Sequence, residues 1–371
     1  MALSVHSMSQ NGSCEVEEID VFRQFDVVSD DSDHYFLNSK SKTKSAQPDP
    51  IANASSGVHK KIMQEWRILE KSLPESIIVR VYEKRLDLLR AAIVGAAGTP
   101  YHDGLFFFDL AFPPDYPTKP PLVHYRSFGL RINPNLYANG RVCLSLINTW
   151  SGRKSEKWNP KESTVLQVLV SIQALVLNEK PYFNEPGHGI WPGKTIWEKK
   201  SAAYNEDVFV MSCKKMLFLM RKPPKNFEGF VVGHFRERGS SILLACKSYA
   251  NGSVKVGYFK NDGPAGTSSA DFPSGSFDVS EKFKGYLKQL YPELAAAFLK
   301  AGASLGNSIE QLNVEEKKKK KKPKSSKKQV TETRARKTGG VARRLLGKLK
   351  KVFGQKLGGT GSINVIKKYR L

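Results

Sequence analysis

The chain has 371 residues with 40% hydrophobic side chains, enough for one packed α/β domain with extensions, and a formal net charge of +24. From Lys317 to Leu371 there are 21 Lys and Arg against the single acid Glu332, so residues 1–316 are close to neutral and the charge does not argue for a nucleic-acid-binding fold. The four scattered cysteines, Cys14, Cys143, Cys213 and Cys246, include no Cys-x-x-Cys pair and no histidine at ligand spacing, which argues against zinc and against a disulfide framework and fits a reducing compartment.

Residues 1–57 mix acids, Ser and Pro and are expected to be mostly disordered. Neither a secretory signal pattern near the start nor an apolar run of membrane-spanning length is found, so a cytoplasmic or nuclear location is expected. The denser patch Ile19 to Val28, followed by Asp30, Asp31 and Asp33, reads either as a solvated linker or as a docking peptide that adds a strand to a partner's sheet. Helical spacing begins at Val58, with Ile62, Trp66, Leu69 and Leu73 on one stripe, and Pro74 should end the helix. Strands are predicted at Ile77 to Tyr82, Leu88 to Val94, Leu105 to Phe112 and Leu122 to Tyr125, then apolar helices at Val165 to Leu177 and Asn205 to Met220, the last stopped by Pro223-Pro224. One helix, four strands and then helices make an α+β arrangement. Phe227 to Tyr249 and Ser280 to Ala301 read as an appended helical segment joined by the Gly/Ser/Asp-rich stretch Asn251 to Ser276. The boundaries are therefore 1–57, a core at 58–221, a helical extension at 222–304 and a basic tail at 305–371. In that tail Val341, Leu345, Leu349, Val352 and Phe353 fall on one side of a basic amphipathic helix, compatible with nucleic acid, an anionic membrane or an acidic protein groove; a solvated charge run without a specific partner is the alternative.

The chemistry-bearing pattern lies at Asn133-Pro134-Asn135, eight positions before the lone thiol of Cys143 at Asn135. An isolated cysteine between Val142 and Leu144 is usually a small core hydrophobe. A thiolate beside an amide that donates to an oxyanion is the arrangement acyl transfer requires. Phe107 to Val123, with its Pro113-Pro114-Asp115-Tyr116-Pro117 turn, the Asn-Pro-Asn and Cys143, Trp158-Asn159-Pro160 and the helix from Val165 together resemble ubiquitin-conjugating enzymes over residues 58 to 200. Asn148-Thr149-Trp150 and Pro181-Tyr182-Phe183-Asn184-Glu185-Pro186 are similar to the large atypical members, including the plant phosphate-homeostasis type and the animal conjugase/ligase hybrids.

The resemblance implies an antiparallel four-stranded meander sheet flanked by helices. It also implies that Cys143 accepts ubiquitin from an activating enzyme as a thioester and passes it to substrate lysines. No bound cofactor is expected, since ATP is used by the upstream activating enzyme. By the same resemblance Asn135 serves the oxyanion or holds the loop, and Glu185 orients the incoming lysine, unless it is only a solvated loop acid. Lys60, Lys61 and Arg67 meet the activating enzyme, and Pro117, Thr118 and Pro160 meet a ligase. Thr118 stands where an aromatic anchor is common, which puts ordinary ligase docking in doubt and leaves direct substrate docking open. Asn133 replaces the usual His; an amide cannot carry a proton near neutral pH, so its role is structural and Asn133→His should be tolerated. The charged loop Ser151 to Lys157 should border the thiol, as a wall for acceptor lysines or as an inert insertion. Two other classes compete: a catalytically silent binding module on the same fold, which would lack the thiol, and a nucleic-acid or membrane adaptor working through its tail.

Overall fold

In the computed structural model, which describes residues 22–38, 56–188, 195–259 and 278–306, five strands form one sheet in sequence order: β1 (Phe25–Val28), β2 (Ile77–Tyr82), β3 (Arg85–Val94), β4 (Leu105–Ala111) and β5 (Leu122–Tyr125). β2 to β5 are the predicted antiparallel meander, with Val79 opposite Ala91, Ala91 opposite Phe108 and Phe108 opposite Tyr125. Because side chains alternate between faces, this register gathers Ile77, Val79, Val81, Leu89, Ala91, Ile93, Phe106, Phe108 and Leu110 on one face. There they meet α2 (Ser56–Ser72) through Ile62, Trp66 and Leu69, and α3 (Val165–Ser171) through Val165, Val168 and Leu169, in a single buried cluster. Thr164 caps α3 by accepting from the Gln167 N–H at 3.2 Å, and the chain continues through a wider π-type turn at Ile172–Val176.

The opposite face is covered too, and here the sequence expectations need correction. β1 is not a strand for a partner: it pairs parallel with β2 of its own sheet, Phe25 opposite Val79, so residues 22–38 belong to the fold rather than to a disordered segment. Gln24 fixes the join, its backbone carbonyl accepting from the Val79 N–H at 2.8 Å and its side-chain amide donating to the carbonyls of Leu73, Pro74 and Ile77. The short helix α1 (Tyr35–Asn38) lays Phe36 and Leu37 against Tyr82, Leu88 and Ala111. Nor are the C-terminal helices an appendage. α4 (Thr195–Arg221), α5 (Glu228–Ala250) and α6 (Glu281–Lys300) bury Phe209, Phe235, Leu243, Leu287 and Phe298, with Phe227 just ahead of α5, in one cluster with Ile78, Ala92, Leu105 and Phe107 of the sheet. The apolar stripe of α6, Phe283, Leu287, Leu290, Leu294 and Phe298, is thus buried within the same chain, and a boundary at residue 222 would cut through a core. Residues 1–21, the stretch 260–277 and the basic tail from Lys317 lie outside the described residues.

Between these two coverings runs a polar strip. Arg90, wholly buried, donates to Asp109 at 2.6 and 3.0 Å and to Asp33 at 2.5 Å, and Arg126 reaches the same Asp33 at 2.9 Å. Burial would raise the Asp109 carboxyl, but the hydrogen bonds from Arg90 and the neighbouring His34 and Arg90 charges hold it below the usual carboxylate range. Lys225 and Asn226, in the α4–α5 connection, close the strip by bonding Asp33 and the Asp30 carbonyl.

Candidate active site

The eight-residue spacing from Asn135 to Cys143 is that of a tight hairpin. Leu136 bridges Val142, the Tyr137 N–H donates to Arg141 at 3.0 Å, and the turn is closed by Asn139-Gly140. Gly140 has φ +89° and lies against the His124 ring where a Cβ would stand, so no other residue fits without moving that ring. Opposite one another at the open end, Asn135 and Cys143 exchange two hydrogen bonds. The Cys143 N–H donates to the Asn135 carbonyl at 2.9 Å, and Asn135 Nδ2 donates to the Cys143 carbonyl at 2.9 Å. Cys143 is 1% exposed and Asn135 9%. The amide therefore holds the thiol's own peptide; with one Nδ2 proton so engaged, the second is what an oxyanion could receive.

Asn133 is the hub beneath this turn. Fully buried, it donates through Nδ2 to the Tyr101 hydroxyl at 2.8 Å and the Val176 carbonyl at 2.7 Å, while its Oδ1 accepts from the Asn135 N–H at 2.8 Å. A histidine is not its equivalent in this network: a neutral imidazole offers one donor and one acceptor, against two donations and an acceptance here. Asn184, not singled out from sequence as a site residue, extends the network from the short 3-10 turn Pro181–Asn184 to the Val176 carbonyl at 3.2 Å. Glu185 follows directly and pairs with Arg131 at 3.4 Å, both about half-exposed, and Arg131 also donates to the Pro134 carbonyl. That places Glu185 beside the Asn-Pro-Asn turn, with its carboxylate facing a cation.

The charged loop comes to the residue after the thiol and not to the thiol itself. Lys154–Glu156 form an exposed 3-10 turn, and with Leu144, Ser145, Leu146, Asn159 and Leu175 its residues line a groove of about 530 Å³ that starts at the residue after Cys143. The Trp158 indole donates to the Pro117 carbonyl at 2.7 Å, locking the Pro-rich turn to the Trp-Asn-Pro loop and leaving Thr118 and Pro160 exposed on neighbouring loops. On α2, Lys60 and Arg67 point outward, whereas Lys61 is turned to Glu65 at 3.7 Å. Glu65 itself was missed. Fully buried on the apolar stripe, it accepts from the Tyr116 hydroxyl at 2.7 Å and the Val165 N–H at 2.9 Å, tying α2 to the Pro-rich turn and to the start of α3. Its signal was an acid on an otherwise apolar helix face.

A model of the ubiquitin-conjugating enzyme family matches residues 61–211. The protein named ubiquitin-conjugating enzyme E2 38 of Arabidopsis thaliana is 47% identical over 281 residues, which cover 76% of this chain and 82% of that protein. The chain belongs to the ubiquitin-conjugating enzyme family. It is also 52% identical over 281 residues to ubiquitin-conjugating enzyme E2 24 of the same plant, covering 29% of it. Against the human dual E2 ubiquitin-conjugating enzyme/E3 ubiquitin-protein ligase BIRC6 it is 40% identical over 245 residues, 5% of that protein. These are the large atypical members that the residues around Cys143 resemble. The chain spans 24 to 41% of the length of the first three curated relatives it matches. Among the described residues no group of His, Cys, Asp and Glu is arranged to hold a metal, and no helix is long and apolar enough to cross a membrane.

Proposed function

We propose that this protein is an active ubiquitin-conjugating enzyme with Cys143 as the acyl carrier. The Cys143 thiolate attacks the carbonyl carbon of the thioester joining ubiquitin's C-terminus to the activating enzyme; the C–S bond to that enzyme breaks, and its sulfur takes up a proton. A substrate lysine amine then attacks the new thioester, loses its proton and forms an isopeptide bond, while the Cys143 sulfur departs and is reprotonated. Both steps are acyl transfers at one sulfur, with no redox or metal chemistry in them, and ATP enters only at the activating enzyme.

The observation that carries this reading is the Cys143–Asn135 pair, in which the cysteine N–H donates to the Asn135 backbone carbonyl and its carbonyl accepts from the Asn135 side-chain amide, a group able to donate its second proton to an oxyanion. The same thiol speaks against a silent binding module. Lys60, Lys61 and Arg67 on α2 are the proposed contacts for the activating enzyme. For a ligase they are the linked loops at Pro117, Thr118 and Pro160, with direct substrate docking the alternative where Thr118 lacks an aromatic anchor. We assign Glu185, beside the Asn-Pro-Asn turn, to orienting the incoming lysine. The tail from Lys317 is the part of the chain suited to nucleic acid or an anionic membrane, and the location we propose is cytoplasmic, nuclear or both.

The test is a gel assay with activating enzyme, ATP and ubiquitin, with and without reductant. A reductant-sensitive adduct is expected. It should vanish in Cys143→Ala, become reductant-stable in Cys143→Ser, and persist when Cys14, Cys213 or Cys246 is changed to Ala. An adduct on Cys143→Ala would overturn the assignment. Deleting Lys317 to Leu371 should leave charging within about a factor of two to three while abolishing salt-sensitive binding to nucleic acid or anionic vesicles, the behaviour of a separable electrostatic segment. Loss of charging on that deletion would favour a tail that takes part in the reaction.

A further inference from the structure

One hydroxyl holds the backbone on both sides of Cys143. Thr149 Oγ1 donates to the Val142 carbonyl at 2.7 Å and accepts from the Leu144 N–H at 3.0 Å, while the Thr149 N–H donates to the Leu144 carbonyl at 3.2 Å. Asn135 takes the N–H and carbonyl of Cys143 itself. Every polar backbone group from the Val142 carbonyl to the Leu144 carbonyl thus has a partner, and each is held by Asn135 or Thr149, with the Ile147 N–H a second donor to the Leu144 carbonyl at 3.2 Å. The chain is brought back to deliver Thr149 by the 3-10 turn Ser145–Ile147 and by Asn148 in the left-handed region, φ +56°, a conformation Asn tolerates better than most side chains.

We propose that Thr149 is a positioning residue for acyl transfer at Cys143. This rests on the reading of Cys143 as the acyl carrier and deepens it. The hydroxyl sets the tilt of the peptide planes before and after the thiol, and so the direction in which Sγ leaves the backbone. It also commits the Leu144 N–H inward, as Asn135 does the Cys143 N–H. Backbone donation to a tetrahedral oxyanion at this sulfur would require breaking the clamp, so the second proton of Asn135 Nδ2 takes that task. A serine can make both Thr149 bonds. A valine has nearly the same shape and can make neither, leaving one buried donor and one acceptor unmet.

The experiment uses the full chain as wild type, Thr149→Ser and Thr149→Val, with two readouts. The first is single-turnover discharge of preformed thioester to free lysine at several lysine concentrations. The second needs no ubiquitin: the rate at which iodoacetamide alkylates Cys143, Cys213 and Cys246, resolved by mass spectrometry. In Thr149→Val the maximal discharge rate should fall about tenfold or more while the half-saturating lysine concentration stays put, the signature of misaimed chemistry rather than weakened binding. Cys143 alkylation should rise severalfold in the same variant, because the loosened turn exposes a thiol that is 1% accessible, with the buried Cys213 and Cys246 unchanged. Thr149→Ser should stay within about threefold of wild type in both. Wild-type behaviour of Thr149→Val would overturn the proposal. So would a serine variant as slow as the valine one, which would assign the effect to the methyl group, or a rise in alkylation at all three cysteines together, which would mean general loosening. Should the wild type fail to charge at all, the functional reading falls, while the alkylation rates still decide whether the clamp exists.

Discussion

The two faces of the sheet are closed by different physics. The inner face, under α2 and α3, is an apolar cluster of alternating strand residues and helix stripes, and the hairpin bearing Cys143 is built from the loops that follow it. The outer face is apolar only at its two ends; its middle is the strip in which Arg90, buried without exposure, serves Asp33 and Asp109. Apolar burial is non-directional and tolerates repacking, whereas a buried ion network stands or falls with its geometry. The inner face should therefore yield gradually to substitution and the outer face abruptly. Arg90→Leu is the sharpest way to break that contrast. It leaves the buried Asp109 without its cation and should cost about 3–5 kcal/mol in denaturant unfolding. It should also speed hydrogen exchange at Phe25–Val28, which the strip helps to hold. Changing Asp109 to Leu in the same protein should recover part of the loss, since an apolar pair carries no unpaired charge. A loss below about 1 kcal/mol for Arg90→Leu would put the strip on the same footing as ordinary surface pairs.

Asn135 tests the contrast from the catalytic side. If the amide only served the oxyanion, Asn135→Ala would slow lysine discharge by about 10²-fold and spare charging more. With Nδ2 bonded to the Cys143 carbonyl, the substitution also releases the thiol's peptide, so both charging and discharge are expected to fall, discharge by about 10²-fold or more. Rapid-quench measurement of the two half-reactions separates the cases. Unfolding stability should change less than in Arg90→Leu, because the hairpin retains its backbone pairing.

The sequence made one face of this molecule readable and hid the other. β2 to β5 announce themselves by unbroken apolar runs bounded by Gly- and Pro-rich turns, and the Asn135–Cys143 spacing is short enough to be a local hairpin. Residues 22–38 looked disordered because Phe25, Val27 and Val28 are too few to pack alone and sit among acids. What orders them is a parallel strand partner about 54 positions away, Phe25 with Val79, and cations at 90 and 126. Glu65 and Lys215 are illegible for a related reason. Each is an ionisable group inside an apolar stripe, and each takes its hydrogen bonds from partners remote in sequence: Tyr116 and Val165 for the first, the Tyr125 hydroxyl at 2.7 Å and the Arg126 carbonyl at 2.6 Å for the second.

Asn133→His refines the view of the hub under the active turn. Read as sequence alone, the substitution restores a common family residue and should be harmless. With Tyr101, Val176 and Asn135 all bonded to the one amide, the ring must displace at least one partner in a site with no exposure. A cost of about 1–3 kcal/mol is expected, the range for a buried polar group left unmet, with charging reduced in proportion to the loss of order at Asn135. Thermal unfolding together with the charging assay checks both; an unchanged melting temperature would show that the hub is plastic.

The smallest expected effect is a pH dependence confined to the outer side. His124 stacks on Tyr35 with ring centres 3.3 Å apart, and burial pushes its pKa down to about 4, helped by His34 and Arg126 and opposed by Asp109. Burial likewise lowers His34, which sits on the Leu89 carbonyl. Each ring is thus harder to protonate in the folded chain than in the unfolded chain, which titrates near 6.5. Each therefore contributes stability that is whole above about pH 6.5 and is lost as the pH falls through its lowered folded value, about 4 for His124. The carboxylates Asp33 and Asp109, also lowered, act only below about pH 4 and so do not share this window. Allowing for solvent screening at the half-buried His124 ring, the loss from this residue should be about 1–2 kcal/mol between pH 7 and pH 5. Unfolding followed across that range should show the slope, and His124→Gln should flatten it. Hydrogen exchange at pH 5 should quicken at residues 22–38 before it does on the inner strands. If the inner strands loosened first, the histidines would be titrating against the whole fold and not against the N-terminal edge strand and the helix α1 that follows it.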